Sequence, residues 1–392
     1  MSKKSLIAFC TILIFHSIFI SFKPGNAISQ YIQVFCALVE IVMLFSYINL
    51  VWKKYRTIAF LIICYACSMC LSMYLIYSDN VLPNNDLSSP FIPLKYSFQL
   101  FGMLLLVIVA NKYNLANTVY KYLYYCTLIY VVITDIYVLS LPPNTDSSFI
   151  FLFGNKFWVT YMNLLLASLI YYNQLKSKHS ARLILILFIV LAMMYIVLKH
   201  ADSTTGEIGT VLFMIFVLLK RKLQLAFNKS SFFMGSLFVF DLGFLVLLSV
   251  MLSSTFVQYF IVEVLHKDLS LNGRIYIYEL LPQIMLLRPW FGWGCGNGYK
   301  AMAYILDTNN AQNGLIFNYL DVGIIGCIFF LLLLYKITCS ANKSKYNFPI
   351  CIYIFLMIFF SSYEITLSNS FLCVTLLLLL NLSHKHIKVL SS

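Results

Sequence analysis

Three cations and one carboxylate that could act on a phosphorylated substrate lie in one segment, Val257–Asn313. The cations are Arg274, Arg288 and Lys300, and the carboxylate is Glu279. The planar fork of arginine matches the geometry of phosphate, so an arginine beside apolar helices would hold a lipid-linked diphosphate. The alternative is that the arginine only extends its charged end to the lipid headgroups and water at the membrane surface. These residue types favour phosphate recognition without requiring it.

The two arginines are too far apart to hold one small group on a straight helix. Fourteen residues separate Arg274 from Arg288, which corresponds to about 21 Å of helical rise. They would serve different groups unless Pro282 bends the chain and brings them together. We expect Arg274 to contact the diphosphate, with Arg288 and Lys300 as further contacts. Glu279, close to Arg274 on the same helix, is the expected general base.

A second set of polar residues lies outside this cluster. Lys199 and Glu207 flank a short polar stretch that would open a helix, and Gln312 and Asn313 precede an apolar run that contains Asp321. An acid in an apolar span is costly when it faces lipid, so Asp321 should face the interior or water. The polar stretch between Lys199 and Glu207 could equally be a plain helix cap, and Asp321 could equally be a hydrogen-bond anchor between helices. We expect the first four to contact substrate and Asp321 to be a further candidate base.

Several motifs that carry chemistry are absent from the sequence. It has no G-x-x-x-x-G-K-[ST] phosphate loop, no H-E-x-x-H zinc motif, no D-x-D and no nucleotide-binding glycine fingerprint. We therefore expect no cofactor and no metal ion. The energy for any reaction must come from the substrate or from a gradient.

The composition indicates the class of protein that must position these residues. Of 392 residues, 61% are apolar or aromatic and 10% are charged, too few to cover a water-soluble surface. In hydrocarbon every backbone amide must be paired internally, so the recurring apolar segments of about twenty residues should be helices. We predict an all-α bundle of about twelve transmembrane helices in one domain, residues 1–392. The predicted spans are Ser5–Phe22, Ser29–Trp52, Thr57–Tyr77, Leu94–Asn111, Thr118–Leu141, Phe157–Leu175, Ala181–Leu198, Thr204–Leu219, Phe232–Phe256, Gly314–Tyr335, Phe348–Leu367 and Asn369–Leu382.

The net charge of +13 is explained by membrane topology rather than by nucleic-acid binding. Alternate loops of this arrangement fall on opposite faces, and one face carries 19 of the 27 basic residues and no acid. The positive-inside rule then places both termini in the cytoplasm. It places the candidate cluster outside.

The long exterior segment, residues 257–313, should be a folded cap. A segment so long and so apolar is neither a simple turn nor disordered. Its apolar spacing predicts an amphipathic helix from Asn272 to about Leu287 with a kink at Pro282. The glycine-rich run at residues 292–298 would let backbone approach a ligand closely, or would form a flexible interfacial turn.

Pieces in the second half of the chain resemble the superfamily of O-antigen ligases and Wzy-type polysaccharide polymerases. Asp202–Gly206 is similar to the family's S-R-[TG]-[AG] segment. Residues 272–274, 288–289 and 292–298 are similar to its G-R, P-x-x-G-x-G and G-N pieces. Residues 312–326 resemble H-N-x-x-L, with an acid eight residues after the Asn and glycines ten and thirteen residues after it.

The resemblance implies a fold, a reaction and a place in the cell. Members of this superfamily act on polyisoprenyl-diphosphate glycans at the outer face of the bacterial inner membrane. We therefore expect a GT-C-like membrane glycosyltransferase. Its partners would be a polyisoprenyl-diphosphate-linked oligosaccharide, membrane lipids and a chain-length regulator, with no nucleic acid.

Two departures from the family pattern bear on the reaction. Gln312 stands where the family has His, and Thr204 stands where it has Arg. Because glutamine cannot act as a general base near neutral pH, we expect a repeat-unit polymerase rather than a ligase that moves finished glycan to a terminal acceptor. A flippase or exporter of lipid-linked oligosaccharide is the alternative from another class. The lack of an internal repeat and of paired broken helices counts against it.

Overall fold

The computed structural model of the protein describes residues 2–20, 27–79, 81–83, 87–142, 152, 154–176, 180–243, 254–255, 259, 274–308, 311–341 and 346–381. Within them every regular element is helical. The helices, numbered in chain order, are α1 (Lys3–Phe19), α2 (Ala27–Leu44), α3 (Ile48–Lys54), α4 (Arg56–Asp79), α5 (Ile92–Lys112), α6 (Ala116–Ser140), α7 (Lys156–Lys176), α8 (Ser180–His200), α9 (Thr204–Leu218), α10 (Lys220–Phe227), α11 (Ser230–Leu237), α12 (Arg274–Leu287), α13 (Gly298–Leu306), α14 (Gly314–Ser340), α15 (Phe348–Phe360) and α16 (Asn369–Leu376).

Five segments of the described chain are long and apolar enough to cross a membrane, and six shorter apolar helices accompany them. The five are Ile28–Lys54, Arg56–Asp79, Ile92–Lys112, Ala116–Ser140 and Gly314–Ser340. The predicted all-α class is therefore confirmed, and the apolar helices indicate a membrane protein. The count of twelve spans and the GT-C-like arrangement stay predictions.

The outer surface of α2 has the apolar character that lipid contact requires. Tyr31, Phe35 and Val42 are 61%, 65% and 72% exposed, and Ile136 on α6 is 64% exposed. In water a protein with so large an exposed apolar surface would aggregate, whereas hydrocarbon solvates that surface. The exposed faces of α2 and α6 therefore favour a position at the lipid boundary.

The centre of the bundle is formed by helices that are apolar on every side. On α5 all residues from Met103 to Ala110 are buried, and α7 is buried almost throughout. Helix α5 packs against α1, α2 and α4, while α4 also packs along α14. A helix that is hydrophobic all round must lie in a core, so α5 and α7 are its axis.

Contacts between side chains place the connecting segments at two opposite ends of the bundle, as the alternation of predicted loops requires. At one end Lys3 lies over the ring of Tyr113, and Lys112 lies over the ring of Tyr47. At the other end Arg288 pairs with Asp79, next to the start of α5. The first end carries lysines that were assigned to the cytoplasm. Which end faces the cytoplasm stays a prediction.

Four predicted spans differ from the observed helices, and one of them, Asn369–Leu382, is α-helical only to Leu376 before a 3-10 turn runs to Asn381. The span Ser29–Trp52 is interrupted, because a 3-10 turn at Phe45–Tyr47 separates α2 from α3. The span Phe232–Phe256 is described only to Gly243, where α11 has continued as a π-helix, and its remainder lies mainly outside the described residues.

The span Phe348–Leu367 is also shorter than predicted, since α15 ends at Phe360. Residues 361–368 form a non-helical connection, here called the polar turn, and α16 then runs back. The amide of Asn347 donates to the carbonyl of Leu378 at 3.0 Å and ties the two far ends together. Helices α15 and α16 therefore form a hairpin.

The helix predicted within residues 257–313 is present. Helix α12 covers Arg274–Leu287 with Pro282 inside it, and the predicted residues Asn272 and Gly273 lie outside the described residues. The apolar spacing that predicted it comprises Ile277, Leu281 and Ile284, which are buried, and Leu280, which is partly buried. Apolar spacing thus located one face of this helix correctly.

Candidate functional site

The exterior segment is joined to the bundle at a break in α14. Gly323 has φ 66° and ψ −172°, a backbone conformation open essentially to glycine only, and it divides the helix in two. The backbone of Trp290 and Phe291 lies directly against it, so that a Cβ atom at position 323 would overlap the Trp290 carbonyl. Residues 288–293, here called the docking turn, occupy this gap.

Backbone hydrogen bonds across the break satisfy the groups that the helix leaves unpaired. The amide of Trp293 donates to the carbonyl of Leu320 at 2.7 Å, and the amide of Ile324 donates to the carbonyl of Pro289 at 2.9 Å. The Ser72 hydroxyl on α4 donates to the Asp321 carbonyl at 2.7 Å. Broken helices are tolerated at membrane depth only where such partners exist. The docking turn therefore belongs to the structure of the bundle.

The glycine run brings backbone close to α14. A Cβ atom at Gly292 would lie 2.5 Å from the carbonyl oxygen of Leu320, so only glycine permits this approach. Gly294 and Gly296 also have positive φ. The close backbone contact that the sequence predicted exists, and its partner here is another segment of the same chain.

Asp321, a candidate base, holds the turn that follows. Its Oδ2 accepts the amide of Gly296 at 3.0 Å and its Oδ1 accepts the amide of Gly298 at 2.9 Å. Gly298 is the first residue of α13, where the helix dipole favours a negative charge. The carboxyl group thus anchors the exterior segment to α14.

A cleft opens beside this joint, between the start of α2, the start of α5 and α13. Its volume is about 330 Å³. It is lined by Gln30, Tyr31, Val34, Leu87, Ser88, Ser89, Phe91, Ile92, Lys95 and Lys300. We call it the Lys95 cleft. Two ammonium groups, two hydroxyls and an apolar rim suit an anionic group carried on an apolar body.

The polar groups of the Lys95 cleft are held in place by neighbouring elements. The ammonium of Lys95 donates to Oε1 of Gln33 at 3.3 Å and lies 4.8 Å from the ring centroid of Tyr96. The hydroxyl of Ser88 donates to the carbonyl of Gly296 at 2.7 Å, and its amide donates to Oδ1 of Asn297 at 2.7 Å. The glycine run therefore also shapes one wall of the cleft.

The polar turn at residues 361–368 collects buried polar groups in the bundle. Oδ2 of Asp241 accepts the hydroxyl of Ser361 at 2.6 Å, and its Oδ1 accepts the amide of Leu315 at 3.3 Å. Glu364 is 8% exposed. Asp241 and Glu364, near the start of α14, are thus enclosed by protein, as an acid in an apolar bundle must be.

Tyr299 on α13 connects these two acidic regions. Its ring lies 4.5 Å from the ring of Phe317, centroid to centroid. Burial of its hydroxyl, with the charges of Asp321 and Glu364, raises the pKa of Tyr299 to about 12. At neutral pH its hydroxyl therefore stays protonated and can donate a hydrogen bond. Burial likewise raises the pKa of the Cys295 thiol well above its usual value, so this thiol is unreactive.

The predicted residues of α12 and its end are not brought together. The side chain of Arg274, the principal candidate, lies outside the described residues. Glu279 is exposed on α12. Arg288 donates to Oδ2 of Asp79 at 2.6 Å and packs over the ring of Trp293. Only Lys300, among these four, lines the Lys95 cleft.

The other predicted contacts lie apart from the cleft or act as caps. Lys199 is exposed at the end of α8, and Glu207 on α9 accepts the hydroxyl of Tyr195. Asn313 is fully buried and caps α14, since its Oδ1 accepts the amide of Ile316 at 2.9 Å. The carbonyl of Gln312 accepts the hydroxyl of Tyr278 at 2.9 Å. The cap at Asn313 was not predicted from the sequence.

Sequence reasoning missed the residue for which the cleft is named. Lys95 lies in the first turn of α5, where a lysine beside an exterior loop counts only as a topology signal. Ser88 and Ser89 stand in a short loop without any motif. The one available signal was a lysine just inside an apolar span, which is costly unless it has a use.

No family model matches this sequence, and the search of curated proteins found no match. The resemblance carried by Asp202–Gly206, the glycine-rich run and residues 312–326 therefore stays a prediction.

Proposed function

We propose that this protein is a membrane glycan polymerase that transfers a polyisoprenyl-diphosphate-linked oligosaccharide onto another lipid-linked repeat unit. The hydroxyl oxygen of the acceptor sugar bonds to the anomeric carbon of the donor glycan. The bond from that carbon to the diphosphate oxygen breaks, and its electron pair leaves with the diphosphate. The hydroxyl proton passes to a base. No cofactor or metal takes part in this scheme, and the reaction belongs at the outer face of a bacterial inner membrane.

The Lys95 cleft is the observation that carries the proposal. Negative charge develops on the leaving diphosphate, and fixed cations stabilise it most where water is largely excluded. Lys95 and Lys300 provide two ammonium groups at an opening rimmed by Tyr31 and Phe91. A polyisoprenyl chain could lie along the exposed apolar side of α2, which leads to this rim. The cleft lies on the face to which the positive-inside rule assigns the exterior loops.

The roles of the other residues follow from this placement. Arg274 at the start of α12 stays the principal candidate for contact with the diphosphate, and Lys95 and Lys300 would add further contacts. Glu279 is the candidate base because it is exposed and has no structural bond in the described residues. Asp321 supports the site by anchoring the glycine run, which forms one wall of the cleft.

Substitution of the cleft lysines tests the proposal. In a strain whose surface polysaccharide depends on this protein, Lys95→Ala and Lys300→Ala should each lower polymer formation about tenfold to a hundredfold, as loss of a charge-assisted contact predicts. Single repeat units should accumulate on the carrier lipid. Lys53→Ala, at the opposite end of the bundle, is the matched control and should leave chain length unchanged. Gel analysis of extracted polysaccharide measures the result.

The same strains separate the proposal from its alternatives. Normal long chains from Lys95→Ala, Lys300→Ala and Arg274→Ala would remove the cleft and the arginine from the mechanism. Long chains left on carrier lipid after deletion of the protein would indicate a ligase. Repeat units trapped at the cytoplasmic leaflet, shown by their protection from an added lectin, would indicate an exporter.

A further inference from the structure

Glu40 on α2 is buried in the middle of the bundle without a partner. It is 0% exposed, and neither carboxyl oxygen has a hydrogen-bond partner among the described residues. An ionised carboxylate in such a place would lose its hydration and gain nothing in return, which is the most costly arrangement for a charge. The side chain is therefore retained as a neutral acid, with a proton on one oxygen.

The space around this carboxyl group is formed by a glycine. Gly102 on α5 faces it, and a Cβ atom there would overlap Oε2 of Glu40. The side chain of Ile14 on α1 closes the space from another side, 3.4 Å from the same Cβ position. A larger residue at position 102 would expel the acid. The slot therefore accommodates a carboxyl group where apolar packing would otherwise continue.

Among the described residues, no cation pairs with the Glu40 carboxyl group. Cys10 on α1, one helical turn before Ile14, is a buried free thiol and brings no positive charge. The nearest basic residue on α5 is Lys95, seven residues before Gly102, which corresponds to about 10 Å along the helix. On α1, His16 bonds to the hydroxyl of Tyr130. The surroundings favour a bound proton over a carboxylate.

A chain of buried polar groups leads from the Lys95 cleft towards the slot. Lys95 donates to Oε1 of Gln33, and the hydroxyl of Ser17 donates to the Gln33 carbonyl at 2.8 Å. The amide of Gln99 donates to the carbonyl of Ser17. The amide of Asn369 donates to Oε1 of Gln99 at 2.8 Å. Four helices thus contribute polar groups to one continuous chain.

The chain comes within one helical turn of the slot along α5. Gln99 precedes Gly102 by three residues, and Asn369 Nδ2 lies 4.0 Å from the Cys373 sulfur. Oδ1 of Asn369 is buried without a partner among the described residues. Amide groups do not carry protons themselves, but they hydrogen-bond the water molecules that do. This chain of polar groups, here called the lane, therefore offers a route for a proton between the Lys95 cleft and the slot.

We propose that Glu40 is a proton-binding site at membrane depth that exchanges its proton through the Lys95 cleft. The observations that carry it are the glycine slot, the unpartnered carboxyl group and the polar chain through Gln33 and Gln99. The proposal does not depend on glycan transfer.

Infrared difference spectroscopy on the full chain in neutral phospholipid vesicles tests both parts of the proposal. At neutral pH the spectrum of the wild type minus that of Glu40→Gln should contain the carbonyl stretch of a protonated carboxylic acid. In heavy water this band should shift, because the acid proton exchanges. Carboxylate bands in the difference spectrum would show that Glu40 is ionised and would overturn the proposal. A protonated band that never shifts would show a sealed structural acid and would also overturn it.

Variants of the lane test the route. Gln99→Leu should slow the shift in heavy water, whereas Gln174→Leu, a buried amide on α7 away from the lane, should not. Equal exchange rates for the two variants would overturn the route through the cleft. If Glu40→Gln does not accumulate, Glu40→Asp serves in its place and should change the frequency of the same band.

Discussion

At the end of the bundle that contains the Lys95 cleft, protein groups neutralise or hydrogen-bond the charged side chains of Arg288 and Asp321. Arg288 forms an ion pair with Asp79 and is 16% exposed at its side chain. Asp321 accepts two backbone amides. Lys95 differs, because its ammonium donates to the neutral amide of Gln33. A lysine whose charge is not cancelled retains its attraction for an anion, which is why it carries the functional proposal.

At the residue scale, the anchoring role of Asp321 predicts a loss of stability. Asp321→Ala leaves the amides of Gly296 and Gly298 without their acceptor, at about 1–3 kcal/mol for each unsatisfied group. Asp321→Asn keeps one acceptor oxygen and should lose less. Thermal unfolding of the purified protein in detergent measures the order wild type, Asn variant, Ala variant. An Asn variant of full stability that forms no polymer would instead identify Asp321 as the base.

Individual residues were only partly predictable from the sequence. Asn313 was predicted only as a substrate contact, and its role as the cap of α14 was missed although an Asn before an apolar run commonly caps a helix. Arg288 was selected for its type, and nothing in the sequence announces its partner Asp79, 209 residues away. Lys95 was passed over because its significance comes from α13, which closes the cleft from a distant part of the chain.

At the scale of elements, helix boundaries could be predicted from apolar spacing where side-chain packing sets them. The prediction failed where close backbone contact with another segment breaks a helix. Helix α12 ends at Leu287 as predicted, since one apolar stripe marks its buried face. The break at Gly323 was not predicted, because glycine is common inside continuous membrane helices. The helix breaks at Gly323 only because the docking turn packs against this residue. The end of α15 at Phe360 had a visible signal in the serines and the acid that follow it.

The break in α14 predicts a large effect of one methyl group. Gly323→Ala should destabilise the protein by more than about 2 kcal/mol, because the backbone conformation excludes a side chain and the Trp290 carbonyl blocks its place. Gly235→Ala on α11 is the matched control, since nothing lies within 4 Å of its Cβ position. That variant should be unchanged or slightly more stable. Folded yield in membranes and thermal unfolding compare the two, and equal values would contradict the docking geometry.

At the scale of the whole molecule, the sorting of segments into two ends predicts an orientation. Alkaline phosphatase fused after Leu82, between α4 and α5, should be active because it reaches the exterior. A fusion after Lys54, between α3 and α4, should be inactive, since the positive-inside rule holds that end in the cytoplasm. Fluorescent-protein fusions at the same sites should give the opposite pattern. The reverse result for both reporters would turn the Lys95 cleft inward and remove the exterior reaction.

The joint between α14 and the docking turn has a consequence for how the chain can diverge. Backbone hydrogen bonds hold it, from Trp293 to Leu320, from Ile324 to Pro289 and from Ile325 to Trp290. The position of the docking turn is therefore set by peptide groups and by Gly292 and Gly323, while the ring of Trp290 is 63% exposed. Descendants of this chain could exchange that one ring to suit another sugar or headgroup and still seat the cap in the same place.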